Sequence, residues 1–162
     1  LYEFHPNEKF NLEMESYVDL KEKSIKSKSK KARVDILMTF GTEEESAKGA
    51  IELKFFKKKN DREPNNRYDI FKDISNLEAY KENGIDLNYL FLSTDHSHYV
   101  NQSEYSAATK DFDIRIGSKY TSGQILEYRT AKPYGPPIIL KGNYEFDWSE
   151  PTENIYFTKI EI

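Results

Sequence analysis

The chain has 162 residues, with 24 Lys plus Arg against 28 Asp plus Glu, a net charge of −4 and no cysteine. Such a length supports one domain with one core. The missing cysteine excludes disulfides, thiolate zinc sites and cysteine nucleophiles, and fits a reducing, cytoplasmic setting. An acidic chain does not coat nucleic acid by bulk charge. No run approaches the roughly 20 apolar residues that span a bilayer, and no signal-peptide pattern is read at the start, so no membrane partner is expected.

Residues 5–23, HPNEKFNLEMESYVDLKEK, read as a first helix. Asn7 serves as N-cap, Glu8 sits at the positive helix start, and Phe10, Met14, Tyr17 and Val18 share one face. Ser24 to Lys30 alternates Ser and Lys and reads as an exposed edge strand or a loop. ARVDILMTF (32–40) and KGAIELKFF (48–56) are strands joined by the turn GTEEES, a hairpin in the middle of a sheet. KKKNDREPNNR (57–67) is a polar breaker containing Pro64. The next helix, within 67–84, carries an apolar stripe of Ile70, Phe71, Ile74 and Leu77 and stops at Asn83-Gly84. LNYLFLST (87–94) is a short apolar run typical of a buried strand. Near the end PPIILKG, NYEFDWS and NIYFTKIEI read as short antiparallel strands. The order is helix, hairpin, helix, strand and β-rich tail. It describes an α/β (or α+β) fold with a mixed sheet, in a single domain over 1–162.

Three charged residues interrupt the two central strands: Asp35, Glu52 and Lys54. Strand residues two apart point the same way, about 6.6 Å from one another. Glu52 and Lys54 therefore share one face, and Ile51, Leu53 and Phe55 take the other. Burying such charges is costly unless they are paired, hydrated or bound to a metal. Two carboxylates facing one point suit Mg²⁺, with Mn²⁺ as a substitute. Such an ion neutralises charge on a scissile phosphate, and a lysine beside it stabilises the transition state. Asp35 and Glu52 are thus candidate metal ligands and Lys54 a catalytic lysine for phosphodiester hydrolysis. The competing reading is a surface hairpin with ordinary cross-strand ion pairs.

On the following helix, Asp69 and Asp73 share a side with Lys72 beside them. Arg67, Asp69 and Lys72 are candidates for phosphate contact or for supporting the site, whereas Asp73, with Lys72, fits a solvated ion-pairing face. DHSHY places His96 and His98 near Asp95, but no further ligand cluster accompanies them, so they read as turn residues rather than a zinc site. Trp148 and the tyrosines offer base stacking or, more commonly, core filling. The basic runs 21–33 and 54–62 suit the backbone of a nucleic acid, or equally solvated strand edges.

The spacing VD, turn, ELK resembles the PD-(D/E)XK nuclease superfamily, with Val34 where the family name has proline. ELKFF, RYDIFKDISNLEAYKENG, YLFLSTDHSHY, TKDFDIRIG and LKGNYEFDWS together resemble a little-characterised bacterial group of that type. The resemblance implies a restriction-endonuclease-like αβββαβ core with a β-rich C-terminal extension. It also implies a Mg²⁺-dependent endonuclease acting on DNA, with Asp35 and Glu52 on the metal and Lys54 catalytic. Superfamily members often add an acid from the first helix; Glu8 is the candidate by position, with Glu13 and Glu15 as alternatives. A homodimer is a common arrangement in the superfamily. RNA as substrate, and an inactive domain serving as a binding module or scaffold, stay open.

Overall fold

Apolar side chains at every second position, Phe10, Leu12 and Met14, set the character of the first described segment. The computed structural model describes residues 9–26, 28–42, 44–60 and 62–162. Lys9–Asp19 forms strand β1, paired antiparallel along its length with β2 (Lys31–Gly41), from Lys9 opposite Gly41 to Asp19 opposite Lys31. This corrects the helix expected over 5–23. Phe10, Met14, Tyr17 and Val18 fit a helical stripe, but Phe10, Leu12, Met14 and Val18 fall at even spacings that also fit alternation, and a partner strand of equal length decides between the two. Asn7 and Glu8 lie outside the described residues.

β3 (Ser46–Phe56) returns antiparallel to β2, as the two apolar runs predict. A 3-10 turn over Lys58–Asn60 then leads into α1 (Glu63–Glu82). The helix begins earlier than expected because Pro64 sits in its first turn, where the missing N–H is no loss. Asn83 ends it, and Gly84 follows with φ 85°. The chain passes into β4 (Leu87–Thr94), parallel to β3, completing a βαβ crossover. A single turn, α2 (His98–Asn101), precedes the tail of short strands: β5 (Lys119–Tyr120), β6 (Ile125–Leu126), β7 (Ile138–Ile139), β8 (Tyr144–Glu145), β9 (Ser149–Thr152) and β10 (Ile155–Glu161).

The result is a mixed α/β fold whose six-stranded sheet runs β1-β2-β3-β4-β10-β9, with β5-β8 and β6-β7 as separate two-stranded pieces. α1 lies across one face, packing Ile70, Phe71, Ile74 and Leu77 toward Ala50, Leu90 and Leu92. On its other side the tail adds rings: Phe71 lies 4.7 Å from Tyr120 and 5.7 Å from Phe146, centroid to centroid. Trp148 belongs to this core, its indole N–H donating to the Ile114 carbonyl at 2.6 Å. Covered from both sides, α1 buries polar residues as well as its apolar stripe. No helix among the described residues is long and apolar enough to cross a membrane.

The opposite face of the sheet carries Phe10, Leu12 and Met14 of β1, Leu53 and Phe55 of β3, Leu87 of β4 and Phe157 of β10, all exposed. β3 is therefore inverted relative to an ordinary amphipathic strand. Leu53 and Phe55 are 43 % and 48 % exposed, while Glu52 is fully buried under α1.

Arg67 fastens the tail to α1. Its Nη1 donates to the carbonyls of Thr109 (3.0 Å) and Phe112 (2.7 Å), and its Nη2 to Thr109 Oγ1 (2.7 Å). It also pairs with Glu63 and stacks 3.6 Å over the Tyr105 ring. Replacing it strips the Phe112 carbonyl of its guanidinium donor and leaves Glu63 with only His98, 3.6 Å away, and the Thr109 carbonyl with only the Phe112 N–H. Arg67→Met is expected to lower stability by about 3 kcal/mol in urea unfolding; a loss under about 1 kcal/mol, the range of an exposed pair, would deny Arg67 this role.

Candidate functional site

The inner face of β3 meets the middle of α1 at two acids. Glu52 arrives from the strand and Asp73 from the helix, both essentially without solvent access. Two ammonium groups lie between and beside them. Lys26 Nζ is 2.8 Å from Glu52 Oε2 and 2.8 Å from Asp73 Oδ1, bridging the pair. Lys54 Nζ is 3.0 Å from Asp73 Oδ2 and 3.8 Å from Glu52 Oε2. The remaining oxygen, Glu52 Oε1, is buried without a hydrogen-bond partner.

Lys26 comes from the connection between β1 and β2. That connection closes on itself, with the Leu20 N–H on the Lys30 carbonyl (2.7 Å) and the Ser24 N–H on the Ser29 carbonyl (2.9 Å). Lys21 ties it to the end of α1, its backbone N–H donating to Asn83 Oδ1 (2.9 Å) and its Nζ to the Glu82 carbonyl (3.2 Å). Leu20 is buried and Ile25 packs partly against the core, which leaves Lys26 aimed inward.

Asp35 stands where the β2–β3 ladder stops. The paired register ends at Ile36 opposite Ile51, so the next step would set Asp35 across from Glu52. Instead of a further backbone rung, Asp35 Oδ2 accepts the Leu53 N–H at 2.7 Å. Above the acids, the buried Tyr80 hydroxyl donates to the Arg33 carbonyl (3.1 Å) and accepts from Asn76 Nδ2 (2.6 Å). Burial, and then the fields of Glu52, Asp73 and Asp35, push the pKa of the Tyr80 hydroxyl far above its ordinary value, so it stays protonated.

Burial and the neighbouring Asp73 carboxylate push Glu52 up to about 7, against the opposing pull of Lys26 and Lys54. Burial works against the Lys26 ammonium too, but Asp73 and Glu52 more than offset it, and the net shift is upward. Lys26 is therefore a full positive charge at neutral pH.

Of the trio expected from the strands, Glu52 and Lys54 come together, and Asp35 lies half-buried beside them. Asp73, expected on a solvated face, is instead a member of the site, because that side of α1 docks on β3 and is closed over by the β1–β2 connection that carries Lys26. Asp69 and Lys72 pair with each other, and Asp69 Oδ2 accepts from the Tyr134 hydroxyl at 3.3 Å, so neither joins the four charges. Arg67 is corrected as a phosphate contact, since its guanidinium is buried and spent on Glu63, Thr109 and Phe112. Glu13 accepts from Asn11 (2.9 Å) and Ser16 (2.7 Å) on exposed β1, and Glu15 pairs with Arg33. Glu8 lies outside the described residues. His96 and His98 stack on each other, 5.3 Å between centroids, at the start of α2, and Asp95 accepts the Lys58 N–H at 2.6 Å. Lys26 carries no distinguishing mark in a run of serines and lysines; the chain's fold alone picks it out.

No family model, curated protein or solved structure matches the chain.

Between pH 4.5 and about 7 the folded Glu52 retains a proton that the unfolded chain gives up. The stability this contributes is complete below the unfolded value and is lost as pH rises through the folded one. Wild-type protein in metal-free buffer should therefore lose up to about 3 kcal/mol across that window relative to Glu52→Gln, measured by urea unfolding at stepped pH. Parallel pH profiles for the two proteins would place the Glu52 carboxyl in the ordinary carboxylate range.

Proposed function

We propose that this chain is a Mg²⁺-dependent endonuclease of the restriction-endonuclease-like type, cleaving the phosphodiester backbone of DNA. One observation carries the reading. Two buried carboxylates from separate elements converge on a single cation position, 2.8 Å from each, and one of their oxygens has no other partner. The order β1-β2-β3-α1-β4, with β3 and β4 parallel, supports it, as does the D…ExK spacing on adjacent strands. The opening helix of the αβββαβ core has no counterpart among the described residues, where β1 stands instead.

The residues fit a hard divalent ion. Glu52 and Asp73 are two carboxylates only, since no group of three or more His, Cys, Asp or Glu that could hold a metal occurs among the described residues, so water and substrate oxygens would have to fill the ion's other positions. Glu52 and Asp73 would hold it, with Asp35 the remaining acid at the end of the ladder. Once bound, the ion supplies neutralisation of the phosphate charge and a more acidic water. Lys54, steadied by Asp73 at 3.0 Å, presents its other N–H donors to the scissile phosphate and stabilises charge as it grows there. The burial that raises Glu52 also excludes water from around these charges and strengthens each contact. Exposed Lys57, Lys58 and Lys59 beyond β3, and the basic connection before β2, flank the site as backbone contacts.

A second reading, an inactive scaffold, is favoured by the pairing of both acids with ammonium groups. The experiment separating them compares wild type, Lys54→Ala, Glu52→Gln and Asp73→Asn for Mn²⁺ binding and for cleavage of matched DNA and RNA. The nuclease requires Mg²⁺-dependent DNA cleavage that EDTA stops. It requires also a fall of about 10² or more in Lys54→Ala with Mn²⁺ affinity nearly intact, and loss of Mn²⁺ binding in the two acid variants. Wild type that binds no Mn²⁺ favours the scaffold, and preferential cleavage of RNA reassigns the substrate.

A further inference from the structure

We infer that the Lys26 ammonium holds the place of the divalent ion and is expelled when that ion binds, so that metal loading converts a neutral pocket into an anion-binding one. The inference rests on the metal-site reading above and assigns a role to a residue which that reading does not use. Lys26 Nζ occupies the point equidistant from Glu52 Oε2 and Asp73 Oδ1. A divalent ion held by Glu52 and Asp73 would need that point for itself. Two cations cannot share it, since their repulsion at such separations is large wherever water is excluded. Lys54 faces no such conflict. It sits to one side, 3.8 Å from Glu52, and its strand fixes its backbone among the central rungs of the sheet.

Lys26 also has a way out. Its side chain keeps 28 % of its surface exposed, whereas Glu52 and Asp73 keep almost none. Its connection is fastened at Lys21 and at Leu20 rather than at Lys26 itself. The charge consequence follows directly. With Lys26 in place and both acids ionised, two carboxylates and two ammoniums cancel. With a divalent ion in its stead the pocket is left positive, and the displaced ammonium, tethered a few residues from its anchor, adds to the field at the mouth. A phosphodiester is attracted to the second state and not to the first. Metal uptake and capture of the phosphate group are thereby coupled through one side chain, and the apo protein is spared two adjacent uncompensated carboxylates.

Two measurements test this. In wild type, acylation of Lys26 by a succinimidyl ester, read by mass spectrometry, should speed up severalfold on adding Mn²⁺, while Lys54 does not follow. Lys26→Met should bind Mn²⁺ about tenfold more tightly than wild type or better, and its melting temperature in EDTA should fall and recover with Mn²⁺. Unchanged or slower acylation of Lys26 on loading overturns the inference, as does equal or weaker Mn²⁺ binding by a folded Lys26→Met. If that occurs while Glu52→Gln abolishes Mn²⁺ binding, the metal site itself survives. If neither wild type nor Lys26→Met binds Mn²⁺, both readings fall. Should Lys26→Met not fold, acylation of the wild-type protein decides alone.

Discussion

Two carboxylates deprived of water repel each other strongly unless positive charge is placed between them. In this chain Glu52 and Asp73 meet in that way, and Lys26 and Lys54 supply the counter-charge. The arrangement constrains much of the fold around it. β3 turns its charged face inward and its apolar one outward, α1 must accept acid and amide groups on a packed surface, and the β1–β2 connection must reach across to deliver Lys26. An interior built this way is a poor route to stability, because replacing buried ions with well-packed apolar groups commonly costs nothing. Its chemical value lies in the cation position that it defines.

The two faces of the sheet make the same point from another direction. Beneath α1 lie Glu52, Lys54 and Asn88 together with Leu90 and Leu92, a mixture that ordinary burial would not choose. On the far side Phe10, Leu12, Met14, Leu53, Phe55 and Leu87 stand in solvent. Ring contacts partly shield that side, Phe91 lying 6.1 Å from Tyr89 on its own strand and 6.0 Å from Phe157 on β10.

What could be read from the residues follows these constraints. β2, β3 and β4 announce themselves as apolar runs of strand length, and the stripe Ile70, Phe71, Ile74, Leu77 marks α1 because its spacing fits only a helix. β1 does not, since Phe10, Met14 and Val18 satisfy both periods, Tyr17 fits only the helical one, and the presence of β2 selects the strand. Glu52 and Lys54 are conspicuous as charges inside an apolar strand. Asp73 is not, for an acid on a helix ordinarily faces water, and nothing local reports that this side of α1 will meet β3 and the β1–β2 connection. Arg67 misleads for the same reason: beside Asp69 it resembles a surface cation, yet Thr109 and Phe112, more than forty residues on, claim its donors. Lys26 is hidden among identical neighbours.

Glu52, Lys54 and Asp73 all come from one continuous stretch, β3 followed by α1, whereas Lys26 is delivered by the connection preceding β2. Docking the helix on its own strand closes a short loop and is entropically easy. That step alone brings the acids side by side with only Lys54 to separate them. The crossover by itself is thus short of one positive charge, and the β1–β2 connection supplies it, so the upstream hairpin steadies the crossover through Lys26 as well as through its ladder to β3.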